Sequence, residues 1–387
     1  MKKSILILAA FAFVAFSCTK TEVKDDTPKK GINFSAYTAK PTKAPLGPQV
    51  DVITGNLEKF EVTAIGNRAT YFDNVTFKKN TVWESTPEYF WPAFPLTFCA
   101  YNTPTVNAEG GTTFTRTINT SEQKLFVKPN ADLAKQEDLV AAYAPDEIEE
   151  HTTGTPSSLS INFYHYLTQV IVKAKNSNST YKVVVDGVKL ANLAGDGTYT
   201  FSDNTMTATA SKVNKAESSD YEADFTAKEL DGTEKEVMTN AGNGRWYLIP
   251  QSVTAWDRGN GLDENKMKNT ANGTYLALKV IISTKDGAQI YPITGSETAW
   301  MAVPVPTNWT SDPLGVASIF QQGKRYTIIL DFFGNGGAGY VDPEDPGDLD
   351  GDPGTADNGK PIVGKAIKFN ATVRDWDVND VTITISL

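Results

Sequence analysis

The stretch Leu159-Ser-Ile-Asn-Phe-Tyr-His-Tyr-Leu-Thr-Gln-Val-Ile-Val172 decides the reading of this chain. Leu159, Ile161 and Phe163 alternate with Ser160 and Asn162. A period of two places the apolar set on one face of an extended strand and the polar set on the other. The same alternation recurs outward in both directions. Ile32, Phe34 and Ala36 alternate with Asn33, Ser35 and Tyr37, and Phe60, Val62 and Ala64 with Glu61 and Thr63. Val183 to Val185 and Tyr275 to Ile282 read as strands buried on both faces. Turn pairs punctuate these runs: Gly66-Asn67, Asp186-Gly187, Gly195-Asp196-Gly197, Asp231-Gly232 and Asp286-Gly287. Helical patterns are scarce, and Asp132 to Tyr143 is the best candidate for a helical turn. Many short strands between frequent turns predict an all-β fold of sandwich type.

The N-terminus has a different character. Lys2 and Lys3 precede an apolar run from Ser4 to Phe16, and small Ala15 and Ser17 lead into Cys18. The run is too short for a spanning helix and reads as a secretory signal with a lipoprotein-type site, cleaved before Cys18 and acylated there. Several acyl chains hold a protein on a membrane stably, which one chain does not. Residues 1–17 are thus the expected signal peptide and 18–31 a lipidated, polar tether. The only other cysteine, Cys99, sits in apolar Pro95-Leu-Thr-Phe-Cys-Ala-Tyr101 and reads as a small core residue. With Cys18 lipidated, stability rests on burial rather than on disulfides. The net charge of -10 argues against nucleic acid or an anionic bilayer surface as partner.

Length allows about two domains. The polar stretch Glu147 to Ser158 is the expected boundary, giving an N-terminal β-sandwich over 32–155 and a C-terminal one over 156–333. Residues 334–360 are rich in Gly, Pro and Asp and too poor in apolar groups to order themselves, so they read as an acidic linker. The strand pattern then resumes. Ile367, Phe369, Ala371 and Val373 alternate, and Val381, Ile383, Ile385 and Leu387 share one face at the C-terminus. Residues 361–387 are therefore expected to form a two-strand arm.

Motifs that suggest chemistry are weak. Gly334, Gly336 and Gly339 fit G-x-G-x-x-G after a strand, but Tyr340-Val-Asp-Pro follows where a dinucleotide site needs a helix. Asp348, Asp350 and Asp352 match the first ligands of an EF-hand loop, yet Pro353 stands at the required Gly and Gly359 at the bidentate Glu. Weak calcium binding and a solvated, self-repelling linker are the two readings of that run. His151 and His165 are the only histidines, and the second reads as a hydrogen-bonded structural imidazole. No H-E-x-x-H, C-x-x-C or G-x-S-x-G occurs. Hydrolysis by a triad or by zinc therefore has no support, while a carboxylate pair assembled by the fold stays open. Trp83, Tyr89, Phe90, Trp91 and Phe94 cluster among Pro87, Pro92 and Pro95. They read either as sandwich core or as an exposed platform for sugar rings.

Taken in order, these stretches resemble the fimbrillin family of Bacteroidetes, the subunits of type V pili and their accessory proteins. The resemblance rests on the lipoprotein signal, Gly31-Ile-Asn-Phe-Ser-Ala-Tyr37 and Lys40-Pro-Thr-Lys-Ala44. It continues through Tyr89-Phe-Trp-Pro-Ala-Phe-Pro-Leu-Thr-Phe-Cys-Ala-Tyr101, Asp138-Leu-Val-Ala-Ala142 and the Phe-x-His-x-Leu strand at Phe163. Tyr247-Leu-Ile-Pro-Gln251, Gly323-Lys-Arg-Tyr-Thr-Ile-Ile-Leu330 and Val373-Arg-Asp-Trp376 complete it. The resemblance implies two tandem transthyretin-like β-sandwich domains, no catalysis and no cofactor (so no enzyme), and an outer-membrane lipoprotein that becomes a cell-surface fimbrial subunit. It also implies that a trypsin-like protease removes the first strand, with Lys43 and Ala44 flanking the cut. A neighbouring subunit's C-terminal strand then fills the vacated groove, and Val381, Ile383, Ile385 and Leu387 are this chain's donor face. The implied partners are other pilus subunits, the membrane before processing, and a host or glycan ligand. The alternative is a surface glycan-binding lipoprotein built on the aromatic platform.

Overall fold

The computed structural model describes residues 30–37, 57–102, 112–130, 132–209, 219–238, 244–256, 273–293, 297–305, 319–343, 359–363, 367–375 and 385–386. Among them the chain is built of β-strands, and its helical content is two single 3-10 turns, Leu133–Lys135 and Glu149–His151. The helical pattern expected from Asp132 yields only the first of these turns before the strand Val140–Glu147 begins.

The N-terminal part is one eight-stranded sheet. Its order is Tyr164–His165, Val140–Glu147, Leu96–Asn102, Lys59–Ile65, Thr70–Lys79, Trp83–Ser85, Phe34–Tyr37 and Leu159–Asn162. The two outermost strands are separated in sequence by Phe163 alone, so the sheet must roll up until its ends meet. The interior of the roll holds Phe34, Phe60, Phe77, Phe98 and Phe163, all buried, with Trp83 and Trp91 beside them. Alternation along Leu96–Asn102 feeds two cores. Leu96, Phe98 and Ala100 point into the roll, while Cys99 and Tyr101 face a second cluster on its outside.

That second cluster is covered by a four-stranded sheet of Thr113–Ile118, Gln123–Lys128, Gly197–Thr200 and Thr205–Ala208. Two of its strands come from each side of residue 155, and Leu125 and Val127 pack in one core with Tyr199 and Phe201.

The C-terminal part is a sandwich. One sheet centres on Thr168–Asn176 and Lys324–Phe332, paired parallel from Gln169↔Arg325 to Asn176↔Phe332. The other centres on Tyr181–Leu193 and Tyr275–Thr284, paired antiparallel. Val170, Val172, Ile328 and Leu330 of the first face Val183, Val185, Leu276 and Leu278 of the second across the largest core. The dense apolar run from Tyr275, broken only by Lys279, now has a cause. Leu276, Leu278, Val280 and Ile282 fill the sandwich, and Tyr275 and Ala277 fill a small aromatic cluster on the sheet's outer face with Trp256, Trp300 and Tyr340.

The Gly-rich residues after Phe333 form tight turns that lead into structure. Gly336 and Gly339 take φ of 80° and 79°, a region that side chains other than Gly's rarely adopt. Tyr340–Val341 then adds an edge strand to Ala299–Pro304. The ends of the expected linker meet each other: the Val341 amide donates to Lys360 O at 2.9 Å, and the Gly359 amide to Val341 O at 2.9 Å. The acidic run Asp348, Asp350 and Asp352 lies outside the described residues. Lys368–Asp375 pairs antiparallel with Lys324–Phe332 through eight registered residues, from Lys324↔Asp375 to Asp331↔Lys368. The first half of the arm thus extends its own domain's sheet, and Ile385–Ser386 pairs beyond it with Ala371 and Asn370.

Candidate functional site: the groove around the first strand

The first strand is short but central. Phe34–Tyr37 runs parallel to Leu159–Asn162, in register Phe34↔Leu159 through Tyr37↔Asn162, and meets Trp83 antiparallel on its other side. The residues before it continue the ladder. The Ile32 amide donates to Tyr89 O at 2.7 Å, the Trp91 amide to Lys30 O at 3.1 Å, and the Leu159 amide to Asn33 O at 2.8 Å. An exposed ion pair, Lys30 Nζ to Glu149 at 3.1 Å, adds little to these backbone bonds.

Alternation sends Ile32, Phe34 and Ala36 into the core, with 1%, 0% and 3% of their surfaces exposed. Phe34 is the centre of this row. Its ring lies 4.8 Å from Phe77, 5.2 Å from Phe98 and 5.9 Å from Phe60, each in an edge-to-face arrangement. Removing residues 32–36 would leave a groove with unpaired backbone on both walls and an aromatic floor. Such a groove is a template for an incoming strand.

The other sequence-predicted positions fall as follows. Cys18, Lys43, Ala44, Val381, Ile383 and Leu387 lie outside the described residues. Ile385 is paired through its backbone with Ala371. Trp83 and Trp91 are buried in the rolled core, so they form no platform for sugars. Tyr71, Phe90 and Phe94 of the same region are partly exposed, and the Tyr71 hydroxyl donates to Phe90 O at 2.7 Å. His165 is bonded through Nδ1 to Asp138, and His151 Nδ1 lies 2.6 Å from Glu147. Neither has a nucleophile beside it among these contacts. Cys99 is buried, which pushes its thiol pKa well up, and burial likewise raises Tyr101 to about 12. No group of three or more His, Cys, Asp or Glu among the described residues could hold a metal ion.

Sequence reasoning missed two features. The partners of the first strand, Trp83 and Leu159–Asn162, are far from it in the chain, and no local signal reports them. The second is a buried ion pair: Lys189 Nζ lies 3.0 Å from Asp342 and 5.0 Å over the Trp300 ring. Tyr275 OH donates to Asp342 at 3.3 Å, and the Asp342 amide to Trp300 O at 3.1 Å. The pair fastens the edge strand Tyr340–Val341 to the sheet's outer face.

A family model for fimbrillin-like proteins matches residues 42–340. A search of curated proteins by sequence gives no match. Among solved structures, a fimbrilin from Porphyromonas gingivalis W83 is similar at 11% identity, covering 91% of this chain and 99% of that one, with a TM-score of 0.46. The fimbrial anchor protein Mfa2 from Porphyromonas gingivalis is similar at 12% identity, covering 90% of this chain and 98% of that one, with a TM-score of 0.31. The family match spans most of the sequence, and the chain belongs to the fimbrillin-like family, whose members are structural proteins rather than enzymes.

Proposed function

We propose that the protein is a fimbrial subunit or pilus accessory protein that joins its neighbours by protease-triggered strand exchange. It is exported as a lipoprotein acylated at Cys18 and held at the outer membrane until processing. A trypsin-like protease then cuts between Lys43 and Ala44, and the first strand leaves. The tail face Val381, Ile383, Ile385 and Leu387 enters the groove of another subunit, while a strand from a further subunit enters this one. A head-to-tail contact of that kind does not close on itself and propagates along a fibre. Two tandem units are the bodies so linked, the first including the strands Leu159–Asn162 and Tyr164–His165 beyond the expected boundary at 155, with the shared four-stranded sheet bracing them.

The observation that carries the reading is the placement of Ile32, Phe34 and Ala36. They sit in the middle of the N-terminal core, and residues 38–56, which hold the expected cut at Lys43, lead from them to the rest of the fold. A buried strand at one end of a chain is the element that a single cut can make exchangeable. Burial of Trp83 and Trp91 removes the support for a glycan platform at those two residues.

The test is treatment of the mature protein with a trypsin-like protease, followed by mass spectrometry and sizing. A new N-terminus at Ala44, with the first-strand fragment displaced when a donor strand is supplied, supports the proposal. Resistance at Lys43 in a folded chain contradicts it. Deleting 381–387 is expected to leave cleavage intact and to abolish joining to the next subunit.

A further inference from the structure

We infer that the groove is built for the strand of a different subunit, one carrying a bulky aromatic residue at its centre and a small residue two positions along. This rests on the strand-exchange reading above and concerns the acceptor side of it. Phe34 is fully buried, and three phenylalanine rings lie with centroids 4.8 to 5.9 Å from its own. Ala36, two residues on, is one of five buried alanines in the same core, with Ala64, Ala100, Ala142 and Ala144. With 0% and 3% of their surfaces exposed, Phe34 fills a large site and Ala36 a small one. A close-packed interior is sensitive to both errors: a smaller side chain in the large site leaves a void, and a larger one in the small site forces its neighbours apart.

The chain's own tail offers neither shape. Its apolar face is Val381, Ile383, Ile385 and Leu387. Run parallel or antiparallel, and in any register that keeps this face inward, the tail brings Val, Ile or Leu to the Phe34 site and never an aromatic ring. It likewise brings a branched residue, never Ala, to the Ala36 site. Self-donation therefore combines a void with a clash, and a strand patterned aliphatic-x-aromatic-x-small avoids both. The fibre contact made by this groove is accordingly between unlike subunits.

The direct experiment grafts the tail's pattern into the first strand of the full chain, Phe34→Ile with Ala36→Ile, and measures the thermal midpoint. A fall of at least about 5 °C is expected. An unchanged midpoint overturns the inference, whether or not the chain is ever processed, because the graft tests fit without any cleavage. A second measurement covers the case in which the grafted chain does not fold. On the full chain nicked at Lys43, a synthetic peptide of residues 379–387 competes with the same peptide carrying Ile383→Phe and Ile385→Ala. The altered peptide is expected to bind about tenfold more tightly. Equal or tighter binding by the unaltered tail contradicts the inference. A first-strand fragment that no peptide displaces, even as the graft lowers the midpoint, counts against strand exchange itself and leaves the shape of the groove as described.

Discussion

The rings of Phe34 and Phe77 meet edge to face with centroids 4.8 Å apart, which ties the first strand to the floor of the N-terminal core. Each ring presents its positive edge or negative face to the other, a geometry that adds to simple burial. Phe34→Ala should therefore destabilise the intact chain by about 3–5 kcal/mol. Urea unfolding monitored by tryptophan fluorescence reads this, since Trp83 and Trp91 share that core. A loss below about 1 kcal/mol would mean that Phe34 is not a core anchor.

Lys189 and Asp342 form a pair in which both side chains are almost fully buried. Either one left alone is an uncompensated charge inside the protein. Lys189→Met or Asp342→Asn alone should cost about 3–5 kcal/mol, whereas an apolar replacement of both should cost much less. A double-mutant cycle in urea checks this. Additive losses would show that the two residues do not act as a pair.

Asp73 illustrates the opposite regime. Hydrogen bonds from Arg116, one of them 2.8 Å from Nη2 to Oδ2, hold its carboxyl below the usual aspartate value against a small effect of burial, and Thr63 adds a bond at 3.1 Å. The folded value lies below the unfolded one, so the stabilisation is complete above the ordinary aspartate pKa and is lost as pH falls through the folded value. Both side chains are substantially exposed, which limits the effect to under about 1 kcal/mol. The difference between wild type and Asp73→Asn should thus be small at pH 7 and vanish once the pH has fallen below the folded value. A difference that grows on acidification would contradict this assignment.

Cys99 is buried against Tyr101 and Leu125 in one cluster, and burial raises its thiol pKa. Only the thiolate reacts with alkylating agents, so iodoacetamide should leave Cys99 untouched in the native protein and label it in 6 M guanidinium chloride, about the upper end of such unfolding transitions. Rapid native labelling would show that the hairpin over this cluster opens readily.

Much of the strand set was legible in alternation, because a half-buried strand must alternate wherever one face meets a core. Ile32 to Ala36, Phe60 to Ala64 and Leu159 to Phe163 all follow that rule and all face the rolled core. Pairing was not legible. The parallel contact of Phe34 with Leu159 spans more than a hundred residues, and strand periodicity carries no address. The Gly-rich segment after Phe333 also concealed structure, since Tyr340 and Val341 within it form a strand whose ladder partners lie at Met301 and Ala302. Lys189 reads locally as a solvent-facing residue between Val188 and Leu190. Its burial depends on Asp342, which no local pattern links to it. At the candidate site, the apolar face of the first strand was visible in the sequence, and the walls that receive it were not.

The claim that residues 32–36 plug an exchangeable groove is tested most directly by a chain that starts at Ala44. Its thermal midpoint should lie several degrees below that of the full chain, and a synthetic peptide of residues 30–43 added in trans should restore it. A truncated chain as stable as the full one, and indifferent to the peptide, would contradict the account.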